Sequence, residues 1–517
     1  MNTKFYIILL LSCLVYGANF WEPSVYVLDE AKNAGCAMEM MQRGDLIVPT
    51  FNDELRTDKP PLHYFFMISA YYLFGVTPFA ARLFSVLAGI LLVLHIFWFV
   101  KKHNSESSAF VTALILVSSL QLAIQFHLAV PDPYLILTIT SSLLFFYEGL
   151  VMENRKKMLI FYVAMALGFI TKGLIALVLP GCIIFLFLLM RKQFTLQSIN
   201  KLNLAFGILI FCLIGLPWYA AVGYQTNGIW LEGFFFKHNL ARYTSTMEGH
   251  RGFFLTPFLI LIVGLLPFSF LIVQSVKHAW KRRDQKPFIL LCLITVVVIP
   301  GFFAFSKTIL PSYPAPALPF LAIILGVYWS EKFLKSKKKE WDELLALSIY
   351  TIVAMAIPIG VYLAMLTEFS EFKVEYLAYY FLLLPLGAVL SLVLYMNHMR
   401  KDIMYILSSS WILTAVLFFY ICFPRIDKIN PVSQTLPLLE GRNVAYYGDL
   451  NPAYIFALKS PVKELKSEAE VEEFLAAQGR LITQEKYLTE LSSVKTNILF
   501  RQKDLFEKPI TIILEGN

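Results

Sequence analysis

Charged residues of both signs are concentrated in residues 28–64, between two segments that are apolar enough to enter a bilayer. This interval contains Asp29 and Glu30, then Gly-Asp-Leu-Ile-Val-Pro at 44–49 and Asp-Lys-Pro-Pro-Leu-His-Tyr at 58–64. Ionic side chains at a membrane are energetically costly unless they are paired or bind a ligand. We therefore predict that a catalytic loop at residues 22–78 forms half of an active site.

Two carboxylates are candidates for acid–base chemistry. Asp29 follows the first apolar segment, where it could accept a proton from an attacking hydroxyl or orient that hydroxyl. Asp132 lies between two prolines at the predicted end of another apolar segment. Each residue also has a purely structural interpretation, because acids favour the first turn of a helix and aspartate is a frequent helix cap.

Basic residues recur on segments that we assign to the same side of the membrane. Lys59 precedes two prolines, and its ammonium is a compact cationic donor for a phosphate. The other polar residues with this placement are His238, Arg242, His250, Arg251, Lys307 and Tyr313. Basic segments that converge with acids at one face favour an anionic, lipid-linked substrate over a merely solvated surface.

The composition defines the class of protein. Of 517 residues, 58% are hydrophobic and only 15% are charged, which is too apolar for a water-soluble core. The net charge of +8 comes from short Lys and Arg clusters between apolar segments, a pattern that indicates membrane topology and not nucleic-acid binding. Six cysteines without a CxxC motif predict neither a disulfide framework nor a cysteine metal site.

The apolar segments predict an α-helical polytopic membrane domain at residues 1–424 with about thirteen transmembrane helices. Residues 108–126 and 256–276 are each predicted to be one span, and residues 61–75 a helix along the membrane surface. The first segment, at 5–16, fits either a cleaved signal peptide or a retained helix. The basic clusters then lie on the cytoplasmic side, and Asp29, Lys59 and Asp132 on the other.

The composition changes after residue 424. Residues 425–517 combine β-rich segments at 443–447, 480–483, 496–501 and 511–514 with a helical segment at 467–477, which predicts a small α/β domain on the same side as the charged loop. This domain contains no catalytic pattern, and we interpret it as a structural or docking domain. The chain also has no phosphate-binding glycine loop, GxSxG, HExxH or DxD motif, so a soluble nucleotide substrate is not indicated.

The ordered motifs resemble a known family. Beyond those at 29–30, 44–49 and 58–64, they are Leu-Phe-Gly at 73–75, Ala-Arg-Leu at 81–83, Pro-Asp at 131–132, Thr-Lys-Gly at 171–173, Leu-Pro-Gly at 179–181, Pro-Trp-Tyr at 217–219, His-Asn-Leu-Ala-Arg at 238–242, Gly-His-Arg-Gly at 249–252 and Leu-Pro-Ser-Tyr at 310–313. This order resembles the dolichyl-phosphate-mannose-protein mannosyltransferase-like family, and within it the bacterial 4-amino-4-deoxy-L-arabinose lipid A transferases. The resemblance covers nearly the whole membrane part and fades after about residue 330.

The resemblance implies a GT-C glycosyltransferase of the bacterial inner membrane. Such enzymes move a sugar from a polyprenyl-phosphate carrier to an acceptor at the periplasmic face, with inversion at the anomeric carbon. Asp29 and Asp132 would be the catalytic acids, and Asp58 and His238 would match a metal pair, with zinc as the candidate ion, although the sequence requires no cofactor. The substrate-binding residues would be Glu30, Lys59, Lys172, Arg242, His250, Arg251, Lys307 and Tyr313.

The acceptor determines what Asp29 must do. A hydroxyl acceptor needs a general base, whereas a lipid A phosphate is already ionised and needs only positioning. The expected partners are membrane lipids, the carrier-linked sugar and an acceptor on lipid A, protein or glycan, with no nucleic acid. The alternatives are a protein O-mannosyltransferase-like enzyme with a Ser/Thr acceptor, a nonenzymatic scaffold, and a lipid transporter or flippase, which predicts midplane charges and related halves.

Overall fold

The computed structural model describes residues 3–240, 253–307 and 309–516. The chain divides into two compact units. The first unit comprises Met1–Ala18, Thr57–His63 and Phe84–Tyr420, and the second comprises Asn19–Arg56, Tyr64–Leu83 and Ile421–Asn517.

Helices build the first unit. Its α-helices, including one that begins in the second unit, are Thr3–Tyr16, Pro78–His103, Glu106–Val117, Leu120–Phe126, Asp132–Val151, Arg155–Lys172, Ile175–Met190, Leu196–Lys201, Leu204–Gly215, Pro217–Gln225, Ile229–Glu232, Thr256–Gly264, Ile272–Arg282, Pro287–Ala304, Leu318–Glu331, Trp341–Glu368, Leu383–Met396 and Arg400–Leu417. Its 3₁₀ and π segments are Gly233–Leu240, Phe268–Leu271, Ala315–Ala317, Phe333–Lys335, Ser370–Phe372, Glu375–Leu382 and Phe418–Cys422, the last of which ends in the second unit.

Within the described ranges, eight helices are long and apolar enough to cross a membrane, or ten if each of two bent pairs counts as one span. Because helices of this length and apolarity need lipid as their solvent, the prediction of a polytopic membrane protein is confirmed. The predicted count of thirteen is not confirmed. Three further apolar helices, Thr3–Tyr16, Leu62–Phe74 and Ile175–Met190, are shorter than a typical span.

Two segments that the sequence predicts as single spans each consist of two helices that meet at a bend, so neither is the continuous helix of an ordinary span. Glu106–Val117 and Leu120–Phe126 meet at 67°, and Thr256–Gly264 and Phe268–Arg282 meet at 117°. Ser119 explains how the two breaks are stabilised: its hydroxyl accepts from the Leu122 amide at 3.1 Å and donates to the Gly264 carbonyl. Backbone groups freed by a break inside lipid need such partners, and here one serine serves both breaks.

The second unit contains the predicted α/β domain. Its α-helices are Leu28–Arg43, most of Leu62–Phe74, Phe423–Asp427, Pro431–Leu439, Ala453–Leu458 and Glu468–Ala476, and its one 3₁₀ segment in the described residues is Glu485–Tyr487. Its strands form a hairpin, Thr50–Phe51 with Glu54–Leu55, and a five-stranded sheet.

The five-stranded sheet has the spatial order Lys463–Leu465, Val444–Tyr447, Arg480–Gln484, Ile510–Gly516 and Thr496–Lys503. The first three strands are parallel, and the last two pair antiparallel to their neighbours. The sheet packs its Leu481, Ile512 and Leu514 against Val471 and Leu475 of the helix Glu468–Ala476. The small C-terminal α/β domain is therefore confirmed, while its boundary at residue 425 stays a prediction.

A buried ion pair fixes the start of the charged interval, at Glu30, within the second unit. Arg82 Nε and Nη2 donate to the two oxygens of Glu30 at 2.7 and 2.8 Å, and both side chains are almost fully buried. The remaining guanidinium hydrogens bond the carbonyls of Phe20, Pro23 and Ser24, so all five donors of Arg82 are used. Both Glu30 oxygens are engaged and the residue is 0% exposed, which favours a structural role, and its assignment as a substrate ligand stays a prediction.

Replacing Arg82 with methionine should strongly destabilise the protein. Arg82→Met leaves the Glu30 carboxylate buried without its cation, which should cost about 3–5 kcal/mol. The measurement is the thermal unfolding of the purified protein in detergent. Lys428→Met is the matched control, since the Lys428 pair with Glu22 is exposed and spans 3.8 Å, and its loss should cost at most about 1 kcal/mol. Equal shifts in the two variants would contradict this account.

Candidate active site

A cavity of about 610 Å³ lies in the first unit, beside the ends of several helices. Its polar lining residues are Asp58, Lys59, Asp132, Lys172, His238, Ser306 and Tyr313. Its apolar lining residues are Leu135, Leu174, Ile175, Val178, Phe234, Phe235, Phe236, Phe302 and Phe303. The cavity therefore combines an ionic cluster with an extended apolar wall.

The ionic cluster is built around one carboxylate. Lys172 Nζ lies 2.6 Å from Asp132 Oδ1, and the two side chains are only 20% and 9% exposed. Lys59, which is 8% exposed, acts electrostatically on the same carboxylate, and the Ser312 hydroxyl hydrogen-bonds with it. Lys172 Nζ also lies 5.5 Å from the ring centroid of Tyr313, within cation–π range. One ammonium group thus pairs with Asp132, and a second one lines the same cavity.

A helical hairpin brings Asp132 and Lys172 together. Asp132 is the first residue of the helix Asp132–Val151, and Lys172 is the last residue of Arg155–Lys172. Only three residues connect these helices, so the start of one lies beside the end of the other. An acid at a helix N-terminus and a base at a helix C-terminus are both favoured by the helix dipoles. Pro131 occupies the N-cap position, so Asp132 is not itself the cap.

Gly173 shapes the cavity wall next to Lys172. Its φ of +72° and ψ of −142° lie in a region that side-chain-bearing residues avoid. A Cβ atom at this position would lie 2.5 Å from the ring of Phe234. Phe234 in turn stacks on Trp230 with a centroid distance of 4.9 Å. Glycine therefore allows both the turn after Lys172 and the close packing of the aromatic wall.

The cavity brings together Asp58, Lys59, Asp132, Lys172, His238 and Tyr313 from the sequence-predicted set. Lys307 is exposed and follows Ser306, but it does not line the cavity. Arg242, His250 and Arg251 lie outside the described residues. The aromatic wall was not predicted, although three consecutive phenylalanines at 234–236 directly before Lys237 and His238 were a usable signal.

Asp29 belongs to the second unit and lies in the first turn of the helix Leu28–Arg43. Its carboxylate is 48% exposed and lies 4.0 Å from Arg56 Nη2. Arg56 is buried and also donates to Asn33 at 3.1 Å. Asp29 is thus a solvent-accessible carboxylate near the guanidinium of Arg56, which Asn33 fixes by a hydrogen bond. Its catalytic role stays a prediction.

The described residues do not fit a zinc site. No group of three or more His, Cys, Asp or Glu side chains in the described ranges could hold a metal ion. Asp58 and His238 both line the cavity, but a catalytic zinc needs three protein ligands, and Asp132 is already paired with Lys172. The metal pair stays a prediction, and no chemical step below depends on it.

One family model matches the part of the chain that contributes most of the charged cavity residues. Residues 58–218 match the family model described as dolichyl-phosphate-mannose-protein mannosyltransferase. This segment includes Asp58, Lys59, Asp132 and Lys172 of the cavity. This part of the chain is therefore similar to the family, and the resemblance seen in the sequence is confirmed.

Two relatives illustrate the similarity. The chain is 29% identical to an undecaprenyl phosphate-alpha-4-amino-4-deoxy-L-arabinose arabinosyl transferase from Yersinia pestis over 316 residues, which cover 60% of this chain and 55% of that protein. The chain thus spans about half the length of this relative. It is 27% identical to an uncharacterized protein from Aquifex aeolicus over 379 residues, which cover 73% of this chain and 83% of that protein.

Solved structures show the same fold. The crystal structure of ArnT from Cupriavidus metallidurans bound to undecaprenyl phosphate matches with a TM-score of 0.79 and 20% identity, covering 98% of this chain and 97% of ArnT. The oligosaccharyltransferase AglB from Archaeoglobus fulgidus matches with a TM-score of 0.51 and 11% identity, covering 94% of this chain and 69% of AglB. The fold is therefore that of ArnT.

A Cβ atom at Gly173 should destabilise the first unit. Gly173→Ala combines an unfavourable backbone conformation with a clash against Phe234, and the conformational cost alone should be about 1–3 kcal/mol. Gly181→Ala is the control, because Gly181 lies within a helix and its Cβ would meet no atom within 4 Å. This control should be neutral or slightly stabilising. Melting temperatures in detergent test the difference, and a Gly173→Ala protein as stable as the control would refute it.

Proposed function

We propose that this chain is an inverting glycosyltransferase of the bacterial inner membrane. It transfers a sugar from a polyprenyl-phosphate carrier to lipid A or a related envelope acceptor, with its active site and C-terminal domain on the periplasmic side. The observation that carries the proposal is the cavity lined by Lys59 and by the Lys172–Asp132 pair beside an apolar wall. The similarity to arabinosyl transferases supports 4-amino-4-deoxy-L-arabinose as the sugar.

The two lysines suit the leaving group of this reaction. When the acceptor oxygen bonds to the anomeric carbon, the bond from that carbon to the phosphate oxygen breaks, and the carrier phosphate gains negative charge. Lys59 and Lys172 donate hydrogen bonds to the phosphate oxygens and stabilise this charge. A single displacement inverts the configuration at the anomeric carbon.

Asp132 acts as a positioning residue in this proposal. Its carboxylate holds Lys172 at 2.6 Å and compensates the charge of this partly buried ammonium before the carrier binds. When the carrier phosphate binds, the Lys172 ammonium can donate to both the Asp132 carboxylate and the phosphate, because it carries three hydrogens. The carboxylate of Asp58 is then a hydrogen-bond acceptor for sugar hydroxyls in the same cavity.

The apolar wall suits the polyprenyl chain. Phe234, Phe235 and Phe236 lie on one side of the cavity lining, and Leu174, Ile175 and Val178 extend it along the helix Ile175–Met190. Val178 and Leu174 are 42% and 44% exposed, so this wall opens towards the surroundings of the helices. Burial of apolar surface there contributes about 25 cal/mol of favourable binding free energy per Å² to an isoprenoid tail.

Charge placement argues against the transporter alternative. Asp132 and Lys172 are the terminal residues of their helices, and Lys59 precedes the helix Leu62–Phe74. A flippase or transporter would need ionic groups near the middle of spanning helices. The charges of this cavity are instead at one level of the helical bundle, where a headgroup reaction can occur.

Removing either cavity lysine should reduce transfer. Lys59→Met and Lys172→Met each remove a donor to the leaving phosphate, and each should lower the turnover rate by roughly 10²–10³-fold. The assay uses the purified full chain with an undecaprenyl-phosphate-linked sugar and lipid A. Lys201→Met is the control, because Lys201 pairs with Glu153 at an exposed site, and it should keep normal turnover. Normal turnover in both cavity variants, if they insert and melt normally, would refute the proposal.

The acceptor is identified by mass spectrometry of lipid A, surface glycans and secreted proteins from cells with and without this chain. The proposal predicts that lipid A or a related envelope glycan loses a sugar when the chain is absent. A sugar lost from secreted protein would instead favour the O-mannosyltransferase-like alternative. Identical masses in all fractions would contradict glycosyl transfer. Asp29→Asn then tests the acceptor side, since a hydroxyl acceptor requires a base and an ionised phosphate does not.

A further inference from the structure

A second cavity, of about 800 Å³, lies in the first unit and shares no lining residue with the candidate active site. Its walls are formed by the helices Thr3–Tyr16, Glu106–Val117 and Arg400–Leu417, together with residues that end and follow Leu318–Glu331. Neither the glycosyl-transfer proposal nor the family resemblance uses this cavity. It is an elongated groove between membrane helices.

The groove follows one face of each helix. On the first helix the lining residues are Lys4, Ile7, Leu11 and Leu14, which recur every three or four positions and therefore share a face. From Lys4 to Leu14 this face is about 15 Å long, which is half the thickness of a typical hydrocarbon core. Ile7 and Leu14 remain 40% and 44% exposed. The groove therefore has the length of one lipid leaflet and exposed apolar walls.

Cationic side chains gather at one end of the groove. Lys4 and Lys401 lie at the starts of their helices, and Lys335 follows the end of Leu318–Glu331. The helices Thr3–Tyr16 and Arg400–Leu417 begin at this end of the groove, and Leu318–Glu331 runs towards it. The three lysines therefore lie at the same end. The lining residues in the described ranges include no carboxylate. The groove thus has a cationic end and an apolar body, which complement the anionic headgroup and the apolar tail of an acidic lipid.

We propose that this groove binds a phospholipid with an anionic headgroup, with an acyl chain along the apolar body and the phosphate at Lys4, Lys335 and Lys401. Basic pockets between membrane helices are suited to such headgroups. The absence of a lining carboxylate distinguishes this groove from the candidate active site, which Asp58 and Asp132 line. The lipid contacts both Thr3–Tyr16 and Arg400–Leu417, so it stabilises their association.

The test compares lipids of different charge on the delipidated full chain in detergent. Dioleoylphosphatidylglycerol should raise the melting temperature more than dioleoylphosphatidylcholine, and native mass spectrometry should retain it on the protein. The triple variant Lys4→Gln/Lys335→Gln/Lys401→Gln should bind phosphatidylglycerol roughly tenfold or more weakly. The matched control is Lys337→Gln/Lys338→Gln/Lys339→Gln, which removes the same charge from lysines that do not line the groove, and it should keep the wild-type affinity.

A second variant keeps the lysines and blocks the groove. Ser409 lines the groove and is exposed, so Ser409→Phe should occupy the acyl-chain path and remove the selective response to phosphatidylglycerol. This variant decides the question if the triple variant does not fold. Equal effects of the two lipids, equal losses in the two triple variants, or full displacement of phosphatidylglycerol by undecaprenyl phosphate would each overturn the proposal.

Discussion

Compensation of buried charge is the constraint on which the candidate active site depends. An ammonium group in an apolar cavity is costly unless a carboxylate lies within hydrogen-bonding distance. Asp132 meets this requirement for Lys172 at 2.6 Å and lies near Lys59 as well. The hairpin of Asp132–Val151 and Arg155–Lys172 creates this arrangement through its connectivity, because its two ends carry the two charges. A carrier phosphate can then share cations that are already in place.

The sequence was informative where ionic residues stand out against an apolar background. Lys59 and Asp132 were identified from their position and their neighbouring prolines, and Lys172 from the motif shared with the family. Their pairing was not predicted, because 40 positions separate Asp132 from Lys172 and neither residue type specifies a partner. The same holds for Glu30, which looked like a ligand in the sequence and pairs with Arg82 in the structure. The aromatic wall had only one local signal, the three consecutive phenylalanines at 234–236, in a chain with 58% hydrophobic residues.

Local structure followed the sequence where periodicity is strong and failed where tertiary contacts decide. Four predicted strands of the C-terminal domain were found, while the strand Lys463–Leu465 is too short to show an alternating pattern. Each bent helix pair is continuous in mean hydropathy, because an average over a span-length window is insensitive to the few residues at the break. Ser118-Ser119 and Pro267 were the local signals, since serine can cap a new helix and proline lacks an amide hydrogen. The bond from Ser119 to Gly264 could not be read from either segment alone.

The most direct test of the central claim is a measurement of contact between the carrier phosphorus and the cavity lysines. Solid-state NMR can detect dipolar coupling between ³¹P of bound undecaprenyl phosphate and ¹⁵Nζ of labelled lysines in the full chain. We expect coupled lysine signals that disappear individually in Lys59→Met and Lys172→Met. A bound carrier whose phosphorus couples only to lysines that persist in both variants would contradict the account.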